Sequence, residues 1–144
     1  MRSRWVLDTS VVIKWFRQRE ILADRALAVR AAYLDGRALV FVPTLLAYEL
    51  INVLRYKSDL TTEQVAQAAQ SLLEMGLDWV PPAAPWLRRA AVIARDCDIT
   101  VYDAAFAALA ETLDATLITA DAQLAARTAS LARVRFLGDW ESPP

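Results

Sequence analysis

The chain has 144 residues, 56% of them apolar, and a formal net charge of −1. This length predicts one compact domain with a sizeable core, and the near-zero charge excludes a uniformly basic nucleic-acid coat. The lone cysteine excludes an intrachain disulfide and a cysteine metal cage, and no segment approaches the ~20 apolar residues of a membrane span.

Short apolar segments alternate with helical patterns along the chain, which predicts a parallel sheet covered on both faces. In chain order the pattern predicts a strand at Trp5–Leu7, helices at Ser10–Phe16 and Glu20–Tyr33, a strand at Ala38–Val42, helices at Thr44–Lys57 and Thr62–Met75, a strand at Leu77–Val80, helices at Trp86–Arg95 and Val101–Thr112, a strand at Thr116–Thr119, a helix at Ala122–Leu131 and a strand at Arg135–Leu137. We expect residues 1–140 to form a single domain and residues 141–144 to be a frayed tail.

The high apolar content also bears on partners and location. A small protein with this much apolar side chain leaves some of it for another surface, so we expect a homodimer or a protein–protein complex. Without a membrane span, the expected location is the cytoplasm.

Four acidic residues lie where an α/β fold would bring them together. They are Asp8, Glu49, Asp103 and Asp121, called the acidic quartet below. Asp8 and Asp121 follow predicted strands and precede helices, whereas the other two lie early in helices. Sites in open parallel sheets form at the carboxyl ends of the strands, so all four can meet on one edge.

Three members of the quartet have structural explanations as well. Asp8 and Asp121 can be N-caps of the helices that follow them, and Thr100 with Asp103 resembles a capping box. Glu49 lies in mid-helix beside Leu50, where no cap exists, and its alternative is a buried ion pair with an arginine. Asn52, one turn further along, could support Glu49.

Clustered carboxylates repel one another, and some would be protonated at neutral pH without a cation. The chain has no histidine, so the expected partner is a hard cation with oxygen ligands, Mg²⁺ or Mn²⁺, as one ion or two. Such an ion activates a water for phosphodiester hydrolysis. Thr119, two residues before Asp121, could orient a carboxylate or that water, or could be present only for its β-propensity.

Four segments of the chain resemble a known family. VLDTSVVIKWF, PTLLAYELINVL, ITVYDAAFAALA and LITADAQL are similar, in this order, to the motifs of the PIN-domain ribonucleases, and above all to the VapC-like toxins of toxin–antitoxin pairs. The resemblance implies a PIN-like three-layer α/β sandwich, with a short central parallel sheet of four or five strands flanked by helices. It also implies homodimers and an inhibitory antitoxin partner.

The resemblance further implies a Mg²⁺- or Mn²⁺-dependent endoribonuclease whose catalytic and metal-binding residues are the acidic quartet. Ser10 and Thr119 match the accessory hydroxyl positions. A glycine that often precedes the third motif is replaced here by Cys97-Asp98, and we expect Asp98 to be a surface or capping residue. The alternative function is a catalytically idle PIN-like scaffold that acts only through protein–protein binding.

A few arginines could contact RNA phosphates, although most of them are expected to be solvated surface residues. They are Arg17, Arg19, Arg88, Arg89 and Arg95.

Overall fold

The computed structural model describes residues 2–144. Its centre is a parallel five-stranded sheet in the order β3-β2-β1-β4-β5. The strands are β1 (Ser3–Leu7), β2 (Ala38–Pro43), β3 (Asp78–Val80), β4 (Thr116–Thr119) and β5 (Val134–Phe136). Within these residues, no helix has the length and apolarity needed to cross a membrane.

Seven helices connect and cover these strands within residues 2–144. They are α1 (Thr9–Phe16), α2 (Ala23–Leu34), α3 (Leu45–Arg55), α4 (Thr62–Glu74), α5 (Ala84–Cys97), α6 (Val101–Thr112) and α7 (Ala122–Arg127). In β1, Trp5, Val6 and Leu7 are all buried although neighbouring side chains point to opposite faces. Both faces of the sheet are therefore covered, and the predicted three-layer α/β fold is confirmed.

Most predicted helix ends lie within two residues of the observed ones, and two of them differ by more. Helix α2 begins at Ala23 rather than Glu20, because Leu22 adopts the left-handed region with φ of 68° and interrupts the helix. Helix α7 ends at Arg127 rather than Leu131, because turn hydrogen bonds replace helical ones after Thr128. The backbone N–H groups of Ala129 and Leu131 donate to the carbonyl oxygens of Ala126 and Thr128.

The alanine-rich helix α6 lies against the middle of the sheet. Every residue from Ala104 to Ala110 is buried, and the helix contacts β1, β2 and β4 as well as α5. Small side chains permit this close approach on several sides at once. The first turn of α6, which carries Asp103, is therefore fixed relative to the carboxyl ends of the strands.

The C-terminal residues have contacts of their own. The Arg37 guanidinium donates to Ser142 Oγ at 3.1 Å and to the carbonyl oxygen of Pro143 at 2.9 Å. Just before them, Trp140 packs edge-on against Trp5, with ring centroids 5.6 Å apart. These contacts lie at the amino ends of the strands, opposite the edge that carries the acidic residues.

Candidate active site

The order of the strands in the sheet determines where a ligand site can form. From β1 the chain moves outward to β2 and β3, and then returns to add β4 and β5 on the other side of β1. The change of direction leaves a crevice between the carboxyl ends of β1 and β4, where ligands bind in open parallel sheets. Asp8 directly follows β1, and Asp121 lies two residues beyond the end of β4.

All four members of the acidic quartet line one cavity of about 210 Å³ in this crevice. Four separate segments of the chain supply them: the β1–α1 junction, helix α3, the first turn of α6 and the β4–α7 junction. The remaining lining residues are Thr9, Ser10, Ile13, Val53 and Phe106. No lysine or arginine in residues 2–144 lines this cavity, so its charge is wholly acidic.

Asp8 is the most constrained member of the quartet. It is buried at 5% exposure and caps α1, with Oδ1 accepting from the backbone N–H of Ser10 at 3.1 Å. The Ser10 hydroxyl donates to the same oxygen at 2.5 Å, and the Thr119 hydroxyl donates to Oδ2 at 2.6 Å. Both carboxylate oxygens are therefore held in place.

The Ser10 and Thr119 hydroxyls also connect Asp8 to the loop before α7. The backbone N–H of Ala120 donates to Ser10 Oγ at 2.8 Å, and that of Asp121 donates to Thr119 Oγ1 at 3.1 Å. The two hydroxyls predicted as accessory positions thus orient Asp8 and tie the ends of β1 and β4 together.

Glu49 is half-buried on α3 and is held by a neighbour that the sequence did not indicate. The Thr9 hydroxyl donates to Glu49 Oε1 at 2.7 Å. Within residues 2–144, Glu49 forms no ion pair with an arginine, so the structural alternative for this residue is not realised. Asn52 does not support it either, because Asn52 is exposed and accepts from Arg55 Nε at 3.1 Å.

The remaining two acids lie at helix starts. Asp103 is half-buried in the first turn of α6, where its backbone N–H donates to the Thr100 cap at 3.1 Å. Asp121 is exposed and caps α7, with Oδ1 accepting from the backbone N–H groups of Gln123 and Leu124. The capping roles of Asp8 and Asp121 are therefore real, and they coexist with a place in the cavity.

Burial and mutual repulsion raise the pKa of three of these carboxyl groups. Burial raises the pKa of Asp8 from 3.8 to about 6, against the lowering effect of the Ser10 and Thr119 hydroxyls, and the charge of Asp103 raises it further. Burial and the Asp103 charge also raise the pKa of Glu49. Burial and the Asp121 charge raise that of Asp103.

These properties fit a hard divalent cation better than any group the chain itself supplies. The available donors are carboxylate and hydroxyl oxygens, and the cavity has no cationic side chain to balance them. No three acidic side chains in the described part of the chain already converge into a ligand cage. The set therefore fits an ion such as Mg²⁺, which takes one or two carboxylates and keeps several waters.

A second cavity of about 430 Å³ adjoins the first, with Asp103 and Asp121 lining both. Its only cationic lining residue in the described part of the chain is Arg127, which the sequence did not single out. Arg127 pairs with Asp98, the residue that ends α5 in the left-handed region with φ of 52°. Asp98 is thus a surface and capping residue, as expected, at a backbone position that favours glycine.

The arginines considered from the sequence lie elsewhere. None of them lines either cavity within residues 2–144. Arg17 pairs with Asp59, and Arg89 pairs with Glu111. These pairs support the interpretation of such residues as surface charges.

Comparison with known proteins identifies the family of this fold. The sequence model of the PIN domain matches residues 5–130, which include the whole acidic quartet. The chain belongs to the PIN domain family. No curated protein matches the sequence of this PIN domain.

Several solved structures share the fold of this PIN domain. VapBC2 from Rickettsia felis, bound to a DNA fragment from its promoter, aligns with a TM-score of 0.69 and 14% identity, covering 96% of this chain and 99% of that one. VapBC-1 from nontypeable Haemophilus influenzae aligns with a TM-score of 0.68 and 20% identity, covering 94% of this chain and 99% of that one. VapC20 from Mycobacterium tuberculosis is described as a sarcin–ricin loop cleaving toxin. It aligns with a TM-score of 0.68 and 15% identity, covering 91% of this chain and 98% of that one.

The raised pKa of Asp8 makes a prediction about the metal-free protein. Because its folded pKa (about 6) lies above its ordinary value of 3.8, the native state binds the extra proton, and stability falls as pH rises through this interval. Asp8→Asn removes the buried charge and keeps a good N-cap. In EDTA at pH 8, we expect the variant to be more stable than the wild type, by up to about 3 kcal/mol.

Urea unfolding of both proteins at pH 4 and pH 8 measures this difference, with exposed Asp96→Asn as the control. The stability difference between wild type and Asp8→Asn should nearly vanish at pH 4. A variant that is less stable than the wild type at pH 8 would contradict the electrostatic description of the site.

Proposed function

We propose that this PIN domain is a Mg²⁺- or Mn²⁺-dependent endoribonuclease and the toxin of a toxin–antitoxin pair. The observation that carries the proposal is the convergence of the acidic quartet on one cavity without any cationic side chain. Family membership supports nuclease chemistry, and the description of VapC20 as a sarcin–ricin loop cleaving toxin supports RNA as the substrate class.

The quartet divides into residues with different tasks. Asp8 is the anchor, because hydroxyl groups fix both of its oxygens and the surrounding core excludes water. Asp103 interacts with the three other acids, because its charge raises the pKa of Asp8 and of Glu49. The charge of Asp121 in turn raises the pKa of Asp103. Asp8, Glu49 and Asp103 are therefore the proposed main ligands, and Asp121 completes or orients the set.

A bound Mg²⁺ or Mn²⁺ would lower the pKa of a coordinated water and polarise the scissile phosphate. Glu49 would help to hold the ion, and Thr9 fixes the orientation of its carboxylate by donating to Oε1 at 2.7 Å. Attack by water on phosphorus breaks the bond between phosphorus and O3′. The water gives up a proton and the departing O3′ takes one, so the products carry a 5′-phosphate and a 3′-hydroxyl.

The absence of histidine from the chain is consistent with this route. A pair of histidines acting as acid and base on the ribose 2′-hydroxyl is unavailable, and the proposed attack by water forms no 2′,3′-cyclic phosphate. The chemistry of the product ends therefore separates hydrolysis by water from attack by the 2′-hydroxyl.

The proposed partners are a second copy of the chain and an antitoxin. Several large apolar side chains are exposed to solvent, which is typical of a surface that binds another protein. They include Ile21, Leu34, Tyr48 and Tyr56. The structural neighbours VapBC2 and VapBC-1 are toxin–antitoxin complexes, which supports an antitoxin as the partner. A short reading frame next to the gene, encoding a protein that binds this chain, would support the toxin role.

The second candidate function is a catalytically idle scaffold that acts only through protein binding. The exposed apolar side chains and the lack of a preformed ligand cage favour it. The intact quartet opposes it, because an idle site gains nothing from a cluster of acids that repel one another.

RNA cleavage tests the proposal directly. Purified protein is incubated with structured RNAs in Mn²⁺, and we expect cleavage that leaves 5′-phosphate ends. Asp103→Asn and Glu49→Gln should each lower the rate by about a hundredfold or more, and EDTA should abolish cleavage. The exposed Asp96→Asn serves as the matched control and should cleave normally. Equal cleavage by wild type and both site variants, or cleavage that persists in EDTA, would reject the endonuclease assignment in favour of the scaffold.

The contact between Thr9 and Glu49 supports a finer prediction. Thr9→Val keeps the β-branched shape but removes the donor to a charged carboxylate, so turnover should fall by about tenfold. Thr9→Ser retains the hydroxyl and should retain most of the activity. The measurement is the rate of RNA cleavage as a function of Mn²⁺ concentration, together with the melting temperature of each variant. Wild-type turnover in a folded Thr9→Val protein would show that this hydrogen bond does not position Glu49.

A further inference from the structure

The second cavity described above has no role in the reaction as derived so far. It lies beside the acidic cavity, and Asp103 and Asp121 form the boundary between them. Its volume of about 430 Å³ falls in the range of about 300–1,000 Å³ that is typical of small-ligand sites. The other residues that line it are Asp98, Ile99, Thr100, Gln123, Leu124 and Arg127.

Arg127 is the one cationic side chain among the described residues that line this cavity, beside three acidic ones. It lies four residues after Gln123, so both side chains project from the same face of α7. Its Nη1 donates to the backbone carbonyl oxygen of Asp98 at 2.6 Å and to Asp98 Oδ2 at 3.1 Å. The arginine is thus held at the cavity while 42% of its side chain stays exposed to solvent.

We propose that this second cavity binds the RNA strand next to the scissile phosphate, with Arg127 contacting a backbone phosphate. The inference rests on the proposed nuclease function. A strand whose scissile phosphate lies at the quartet must continue into a neighbouring space, and this cavity shares two lining acids with the site. Guanidinium is the side-chain group best matched to phosphate oxygens, and Thr100 and Gln123 add neutral hydrogen-bonding groups.

Asp98 should weaken the contact between Arg127 and a phosphate. Its carboxylate is 97% exposed and pairs with Arg127 at 3.1 Å, so it competes with phosphate for the same guanidinium. The backbone carbonyl of Asp98 holds Arg127 independently of that carboxylate. Removing the charge at residue 98 should therefore leave the arginine in place and strengthen its attraction for RNA.

A second exposed ion pair provides a control for a purely structural effect of the Arg127 and Asp98 substitutions. Arg133 bonds to Asp114, which also adopts the left-handed region, with φ of 54°. Neither residue lines the acidic cavity or the second cavity. The same substitutions in this pair reproduce the loss of an exposed ion pair without touching the proposed RNA path.

The experiment measures the binding of a short, fluorescein-labelled, single-stranded RNA of random sequence in Mn²⁺. It uses a Glu49→Gln background, in which cleavage should be slow enough for binding to reach equilibrium first. Arg127→Ala should weaken binding by about tenfold and reduce the slope of log Kd against log salt by about one. Asp98→Asn, which tolerates the left-handed backbone, should tighten binding by about threefold. Arg133→Ala and Asp114→Asn should change neither quantity.

The outcomes separate the two proposals. If the otherwise wild-type protein cleaves RNA but Arg127→Ala behaves like Arg133→Ala, or Asp98→Asn fails to tighten binding, the RNA path is wrong and the nuclease function stands. If the wild type cleaves no RNA, the nuclease function itself fails. Should Arg127→Ala not fold, the Asp98→Asn arm decides, because its predicted effect is a gain that loss of structure cannot mimic.

Discussion

Unbalanced negative charge at the carboxyl ends of β1 and β4 is the constraint on which the rest of the site depends. Burial and mutual repulsion raise the pKa of Asp8, Glu49 and Asp103, and no cationic side chain in residues 2–144 enters their cavity. A fold that served stability alone would replace such groups or pair them with arginine. The chain instead surrounds Asp8 with hydroxyl donors, which fix its position without neutralising its charge.

The same residues serve both local structure and the cavity. Asp8 and Asp121 cap the helices that follow β1 and β4, which places a carboxylate at each strand end while satisfying backbone N–H groups. The capping and functional interpretations of these residues are therefore compatible. Thr9, Ser10 and Thr119 then link the segments that carry Asp8, Glu49 and Asp121, so the geometry of the site depends on hydroxyl groups as much as on acids.

Much of this arrangement could be predicted from the sequence, because local patterns control it. The bounds of β4 and α6 agree with their apolar and capping patterns, and the end of each strand sets the position of the acid that follows. The contacts between Thr9 and Glu49 and between Arg127 and Asp98 could not be predicted. They join segments far apart in the chain and depend on side-chain orientations that only the packed helices define. The early end of α7, where turn hydrogen bonds replace helical ones after Thr128, has no clear signal in the sequence either.

Diffraction from crystals grown with Mn²⁺ tests the shared-cation account most directly, because the anomalous signal locates the ion without reference to activity. The account predicts an anomalous peak inside the acidic cavity, bonded to carboxylate oxygens of Asp8 and Asp103, and its loss in Asp103→Asn crystals. An empty cavity at millimolar Mn²⁺, or a peak that persists unchanged in that variant, would contradict the account.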